Sequence, residues 1–403
     1  MGGIMELLPH NINCPNCGVE LVLDSSERRN RKFFCPNCNS NLDLSRDNSS
    51  YEITENVFKA NFMGSGGDLF GIYFITGLIT LGIFFALVIF LMISATIFSN
   101  FKTLNLIVFW SLYGLMLCII YAYYKLKTLD FFYSKCEFFS SYLMFRGTYK
   151  EIFMGILKAI PILIGFFITI ALFETQIAAK PYLIFVIYAG FFIIAFLFIQ
   201  YAYFSSRRYR FSRIFYNDKN FVFKGNMNEC VKKSMINGLI SIITLGIYLP
   251  IYFHQRFSML YNNLYYGEIP FCYEGDDKEF FKIALEGFFL TVLTFGIYYF
   301  WWKPKRYNYY MQNLYLDNAY FHSEIKPKEL FNLIIPNWLL IVFTFGLGQA
   351  WAKVREARFF VSATFIRGSL PSADHIESEA GQKVEATGEA LADYFGLGGV
   401  GMF

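Results

Sequence analysis

Charge is scarce in this chain of 403 residues: 16% of its side chains are Asp, Glu, Lys or Arg, against about 25% in an ordinary soluble protein. Histidine is scarcer, with His10, His254, His322 and His375 making up the whole supply. None of the four forms H-x-x-x-H or sits beside a Ser or Cys motif, and no G-x-x-x-x-G-K-[ST] loop occurs. With no such His pair and no P-loop, enzyme is the weakest class and the chain is read as a non-enzyme. The start, "MGGIMELLPHNINCPNC", lacks a basic stretch joined to an apolar one, so no cleavable signal peptide is expected.

Apolar residues are abundant: 55% of the chain is hydrophobic, with 49 Phe and 29 Tyr, and mean hydropathy is +0.38. Four apolar runs, 72–98, 104–124, 152–173 and 181–204, each exceed the roughly 20 residues that cross a hydrocarbon core. Basic residues cluster before the first run (Arg28, Arg29, Arg31, Lys32), after the second (Lys125, Lys127) and after the fourth (Arg207, Arg208, Arg210, Arg213). The two short connectors inside the pairs hold one Lys each. By the positive-inside rule the N-terminus is cytoplasmic and the chain multi-pass.

Eight cysteines fall into two groups. Cys14 and Cys17 in "CPNCG" and Cys35 and Cys38 in "FCPNCN" are two C-x-x-C knuckles at the spacing of a four-thiolate zinc site. Iron in the same cage and a redox dithiol pair are the alternatives. Four protein ligands leave no open position, so the zinc is expected to be structural, folding a segment too small to hold a core alone. The basic loop "SSERRNRKF" suits a cytosolic protein partner or anionic lipid heads better than nucleic acid. Cys118, Cys136, Cys230 and Cys272 show no paired spacing and read as small buried hydrophobes.

One apolar phrase is written three times: "ITLGIYLPIYFHQR" (243–256), "LTFGIYYFWWKPKR" (293–306) and "FTFGLGQAWAKVRE" (343–356). Thr244, Thr294 and Thr344 recur at a period of 50, as do Gly246, Gly296 and Gly346 and the acids Glu229, Glu279 and Glu329. Upstream lie "FVFKG", "FCYEG" and the altered "YFHSEI", which alternate as short strands. Hairpins are expected to turn at Gly267-Glu268 and Asp317-Asn318, and each acid to sit in the first turn of the following helix. Weaker copies at 62–83 and 145–173 give five repeats, the first two expanded into two-span hairpins, and "FIRGS" (365–369) reads as a closing strand.

Segments 235–253, 283–302 and 333–352 have the length of one crossing each, yet basic residues flank both ends. Re-entrant hairpins turning at Thr-x-Gly are preferred to single spans, and their tips would then line a shared pocket. Thr80-Leu81-Gly82, inside an unbroken apolar run, argues the other way. Glu286 is the acid of these late helices that could lie within the membrane.

The order F-x-F-x-G, then Glu, then T-L-G-I-Y followed by aromatics and Arg resembles the YjgN-like family of bacterial inner-membrane proteins, over residues 57–368. The resemblance implies an inner-membrane location and internal repetition, and supplies no catalytic residue. The expected architecture is an α-helical integral membrane protein of tandem β-hairpin-plus-membrane-helix repeats with a small N-terminal zinc ribbon. Its divisions are 1–50, the ribbon; 51–220, two expanded repeats with four membrane helices; 221–370, three 50-residue repeats; and 371–403, a polar mobile tail. Transport of a small molecule or lipid is placed ahead of a membrane scaffold that binds partners or anionic lipids, and an oligomer is left open.

Overall fold

The computed structural model describes residues 11–14, 17–22, 32–38, 40–43, 57–97, 102–138, 141–179, 184–317, 319–368 and 384–394. Two small antiparallel hairpins come first: β1 (Asn11–Asn13) with β2 (Glu20–Val22), and β3 (Lys32–Cys35) with β4 (Ser40–Asp43).

The rest is one unit, strand–helix–helix–strand, repeated five times. The first runs β5 (Val57–Lys59) and β6 (Asn61–Phe62), α1 (Gly66–Ile97), α2 (Lys102–Ser134), β7 (Cys136–Phe138). The second runs β8 (Ser141–Tyr142) and β9 (Met144–Phe145), α3 (Tyr149–Ala179), α4 (Ile184–Arg213), β10 (Ile214–Tyr216). The third is β11 (Lys219–Phe223), α5 (Met227–Ile243), α6 (Leu249–Tyr261), β12 (Leu264–Tyr266). The fourth is β13 (Ile269–Tyr273), α7 (Asp277–Leu293), α8 (Tyr299–Gln312), β14 (Leu314–Leu316). The fifth is β15 (Ala319–Ser323), α9 (Pro327–Phe343), α10 (Gln349–Ser362), β16 (Thr364–Arg367). A last helix, α11 (Thr387–Tyr394), follows.

The strands pair antiparallel in the order β5-β16-β15-β14-β13-β12-β11-β10-β9, and β6-β7-β8 form a second row. Both rows share two continuous stretches: β5 runs into β6 through Ala60, whose amide bonds Thr364, and β8 into β9 through Leu143, whose amide bonds Cys136. The two rows are therefore one ring of ten strand segments, closed where Ile366 pairs with Phe58. Closure removes the free edges that a small open sheet would expose. Helices close the same ring, because α10 packs on α1: Phe70 and Trp351 rings lie 5.0 Å apart and Arg358 bonds the Phe62 and Gly64 carbonyls.

Local chemistry explains each part. Asn217, Asp218, Gly267 and Asp317 take positive φ at the tight turns between repeats, the geometry that matches strand twist. The aromatic-x-Gly motif is a packing pair: a Cβ on Gly225 or Gly275 would lie 2.7 Å from the Phe223 ring or 2.2 Å from the Tyr273 hydroxyl. In the fifth repeat the pair is exchanged, with Ser323 and Ile325 both buried. Ser65, Thr148, Asn226 and Asp276 accept amide hydrogen bonds at the helix starts, and an acid stands in each first turn: Asp68, Glu151, Glu229, Glu279, Glu329.

Helices run through all four long apolar stretches, although 180–183 and the side chains of 166–188 lie outside the described residues. Two described helical segments, Gly66–Ser94 and Thr103–Ser134, are long and apolar enough to cross a membrane. Thr80-Leu81-Gly82 causes no turn, since α1 continues through it.

Candidate functional site

The three late Thr-x-Gly segments are helix-terminating turns. Thr244, Thr294 and Thr344 are C-caps whose hydroxyls donate to the carbonyls of Ile240, Leu290 and Leu340 and accept the amides of Tyr248, Tyr298 and Gly348. Gly246, Gly296 and Gly346 reach back to carbonyls five residues earlier, closing the 6→1 bond of a Schellman motif. The intervening Leu245, Phe295 and Phe345 are held at φ +51°, which costs a non-glycine residue about 1 kcal/mol. The chain reverses at each turn, and both ends of every late helix pair return to the strand ring.

The expectation that these tips share a pocket is corrected by the structure. Leu245, Phe295 and Phe345 are 94%, 98% and 98% exposed and line neither cavity. The tips lie at the far ends of separate helix pairs, and among the described residues nothing folds back over them. Glu229, Glu279 and Glu329 do not converge either: each serves its own helix start, Glu329 by accepting the Lys326 amide at 3.2 Å. Glu286 is exposed on α7, paired with Lys305 at 2.7 Å and Tyr298 at 3.1 Å, and faces neither cavity.

The cavities lie between the repeats instead. The larger, about 730 Å³, is lined by the second helix of every repeat. Eleven residues before each closing strand stand Lys125, Tyr203, Phe253, Lys303 and Lys353, all in its wall, and one turn on come Thr128, Arg306 and Glu356. Tyr133 borders both this space and a second cavity of about 120 Å³ inside the strand ring, where Phe221, Phe271 and Phe321 of successive repeats meet. In the sequence Lys303 and Lys353 read only as charges flanking the late apolar segments. Their shared period with Phe253 was the available signal.

The tail departs from the mobile segment expected for 371–403. Residues 384–394 are packed, and α11 sits against α3 and α4. A Cβ on Gly155 would lie 2.5 Å from the Ala386 backbone, and one on Gly388 2.1 Å from Ser205 Oγ. Glu389, 1% exposed, accepts two-pronged bonds from Arg210 at 2.7–3.0 Å, a bond from Ser206 at 2.5 Å and an ion pair from Lys125 at 2.9 Å. Burial pushes the Glu389 carboxyl up, but Arg210 and Lys125 together outweigh it and bring it to about 2. Asp393 takes Lys125 at 2.6 Å and lines the larger cavity. The parts of the tail at 369–383 and 395–403 lie outside the described residues.

Cys14, Cys17, Cys35 and Cys38 are brought together by the two small hairpins, with all four Sγ atoms within 4.8 Å of one another. Cys14–Cys38 and Cys17–Cys35 are 3.6 and 3.7 Å apart. A tetrahedral ion with metal–sulfur bonds of about 2.3 Å requires sulfurs about 3.8 Å apart, so the four fit a metal ion. The Asn37 side chain and the Val19 backbone draw the Cys17 thiol down to about 6, towards the thiolate a ligand needs. Cys136 and Cys230 are buried, Cys118 is half-buried and Cys272 is exposed. His254 is fully used inside the fold, between Asp277 at 2.6 Å and the Tyr273 hydroxyl at 2.8 Å, stacked on Phe280. Burial lowers its pKa, with Asp277 pulling the other way.

Among known proteins, no curated sequence and no solved structure matches the chain. The model of one family, bacterial proteins of unknown function DUF898, matches residues 106–286, 268–321 and 302–394. These matches begin in α2, leave the cysteine hairpins outside, and end with the last residue of α11. The match thus takes in most of the chain, from α2 to the docked tail, and the chain belongs to the DUF898 family, the YjgN-like bacterial proteins of unknown function that the repeats resemble.

Proposed function

We propose that this is a multi-pass protein of the bacterial inner membrane, N-terminus cytoplasmic, which holds a small molecule or lipid in its axial cavity and carries it through the membrane. In this reading it is a carrier, not an enzyme. The observation that supports it is the cavity of about 730 Å³ ringed by the second helices of all five repeats. A scaffold gains nothing from such a space, because packing it solid would stabilise the ring.

The outer surface supports the membrane setting. Exposed apolar residues cover α1, α2 and the tips of the short pairs, far beyond what a soluble monomer leaves in water. Lys282 is exposed near the ring end of α7, and twelve residues on the chain turns at Thr294, about 18 Å at 1.5 Å per residue. That is roughly half of a 30 Å hydrocarbon core. The short pairs therefore enter and return, whereas α1 and α2, at 32 and 33 residues, cross. The cost of Leu or Phe in the left-handed tip position is offset by lipid around its side chain.

The Cys14, Cys17, Cys35 and Cys38 cluster favours a second role. With zinc bound, the hairpins would form a structural ribbon for a cytosolic partner, the assembly reading in its narrower form. Native mass spectrometry on protein extracted with its own lipid tests the carrier reading. Wild type should carry a bound small molecule or lipid that Ala357→Trp, which fills the cavity wall, releases. Equal ligand content in both forms would overturn it and leave the scaffold.

A further inference from the structure

We infer that the axial cavity selects an anionic amphiphile, a phosphate or carboxylate head on an alkyl chain. The inference rests on the carrier reading and names its substrate class. Four cations, Lys125, Lys303, Arg306 and Lys353, line the cavity, against two carboxylates, Glu356 and Asp393. The charges are unevenly matched. Lys125 is saturated by Asp393 at 2.6 Å and Glu389 at 2.9 Å. The other three share one acid, Glu356, which stands 3.5 Å from Lys303.

Among the described residues, Lys353 contacts the Tyr73 hydroxyl at 3.3 Å and Arg306 lies over the Trp302 ring, and neither has a carboxylate within ion-pair distance. Arg306 Nε is buried without a hydrogen-bond partner. Lys303 and Arg306 are half-buried and Lys353 is exposed; half-buried cations side by side repel one another, and an anionic group offsets that cost. Two lysines and a guanidinium on adjacent inner helices also suit a head with several acceptor oxygens.

The remaining wall fits a chain. Tyr121, Tyr124, Phe253, Tyr299, Tyr310 and Phe360 supply apolar and aromatic surface. The volume lies within the roughly 300–1,000 Å³ of small-ligand pockets. Lys303 is itself held over the Phe360 ring at 5.0 Å, which keeps its head beside the aromatic wall. A free inorganic anion would leave that wall unused, and a zwitterionic head would bring its own cation against the lysines.

The test uses the full-length protein in phosphatidylcholine nanodiscs with diazirine-bearing phosphatidic acid, fatty acid or phosphatidylcholine, and maps the crosslinks by mass spectrometry. Phosphatidic acid or the fatty acid should label Phe253, Tyr299 or Phe360 about tenfold above phosphatidylcholine, and which of the two labels identifies the source. Inorganic phosphate at millimolar concentration should not compete. Lys303→Gln with Lys353→Gln should bring the anionic probes down to the phosphatidylcholine level while the lipid-facing labels stay. Equal cavity labelling by all three probes in wild type overturns the inference, as does full competition by phosphate. If Ala357→Trp still releases a native ligand in that case, the carrier reading stands and only the substrate class falls.

Discussion

Replacing Glu389 should undock the C-terminal helix. The carboxyl is 1% exposed, and Arg210 and Lys125 hold it below the usual carboxylate range, at about 2. Breaking one partner of a buried ion pair costs about 3–5 kcal/mol. At 1.4 kcal/mol per decade, about 3 kcal/mol is roughly a hundredfold change in the docked population. Hydrogen exchange read at residues 384–394 is the assay, since the loss is local and the ring can survive it. Glu389→Ala should speed exchange there about a hundredfold, with α7 and α9 unchanged. The pH dependence follows from a depressed pKa: the stabilisation is complete above about 4.5, and it disappears as pH falls through about 2. Unaltered exchange in Glu389→Ala, or release of the helix already near neutral pH, would refute the assignment of docking to this ion cluster.

Three further outcomes are expected. The purified chain should hold about one zinc ion, measured by elemental mass spectrometry, and Cys17→Ser or Cys35→Ser should lose it; a metal content unaffected by both would contradict the ribbon. Gly296→Ala has open space around its Cβ, so it should cost only the left-handed strain, about 1 kcal/mol. Gly275→Ala drives a methyl group onto the Tyr273 hydroxyl and His254 and should cost more, about 1–3 kcal/mol in overpacking, read as the larger fall in melting temperature. Ser323→Phe alone should destabilise the fifth repeat, and Ile325→Gly in the same chain should recover at least about 1 kcal/mol, because the exchanged pair then matches Phe223 and Gly225.

The sequence made the repeat legible because its signals are local. Period 50 in threonine, glycine and acid, alternation before each glycine, and dipeptides suited to tight turns all report on a few neighbouring bonds. The helix caps, the tight turns between repeats and the four clustered cysteines follow from the same kind of signal. The closing strand at 365–369 was legible but its partner was not, since β5 lies some 300 residues away and pairs with β16 through backbone groups, with no side-chain signature. Nor was the exchange of Ser323 for an aromatic and Ile325 for glycine, which reads as decay in one dimension and as conserved volume in three. The docking of the tail was not legible either, since nothing in the local sequence places Arg210 and Lys125 around Glu389. The threonine tips misled in the opposite direction, because a repeated motif suggested convergence where five-fold arrangement spreads its copies apart.

In the proposed topology five hairpins rise from one ring and return to the same side of the membrane. Asp218, Glu268 and Asp317 occupy exposed turns between successive repeats. In a chain lacking Cys118, Cys136, Cys230 and Cys272, a single cysteine at each would be labelled with an impermeant maleimide from either side of the membrane. All three should react from the cytoplasmic side alone. Reaction of Glu268→Cys from the outside, with Asp218→Cys and Asp317→Cys reacting from the cytoplasm, would make each late helix pair a single span and contradict the ring's one-sided placement.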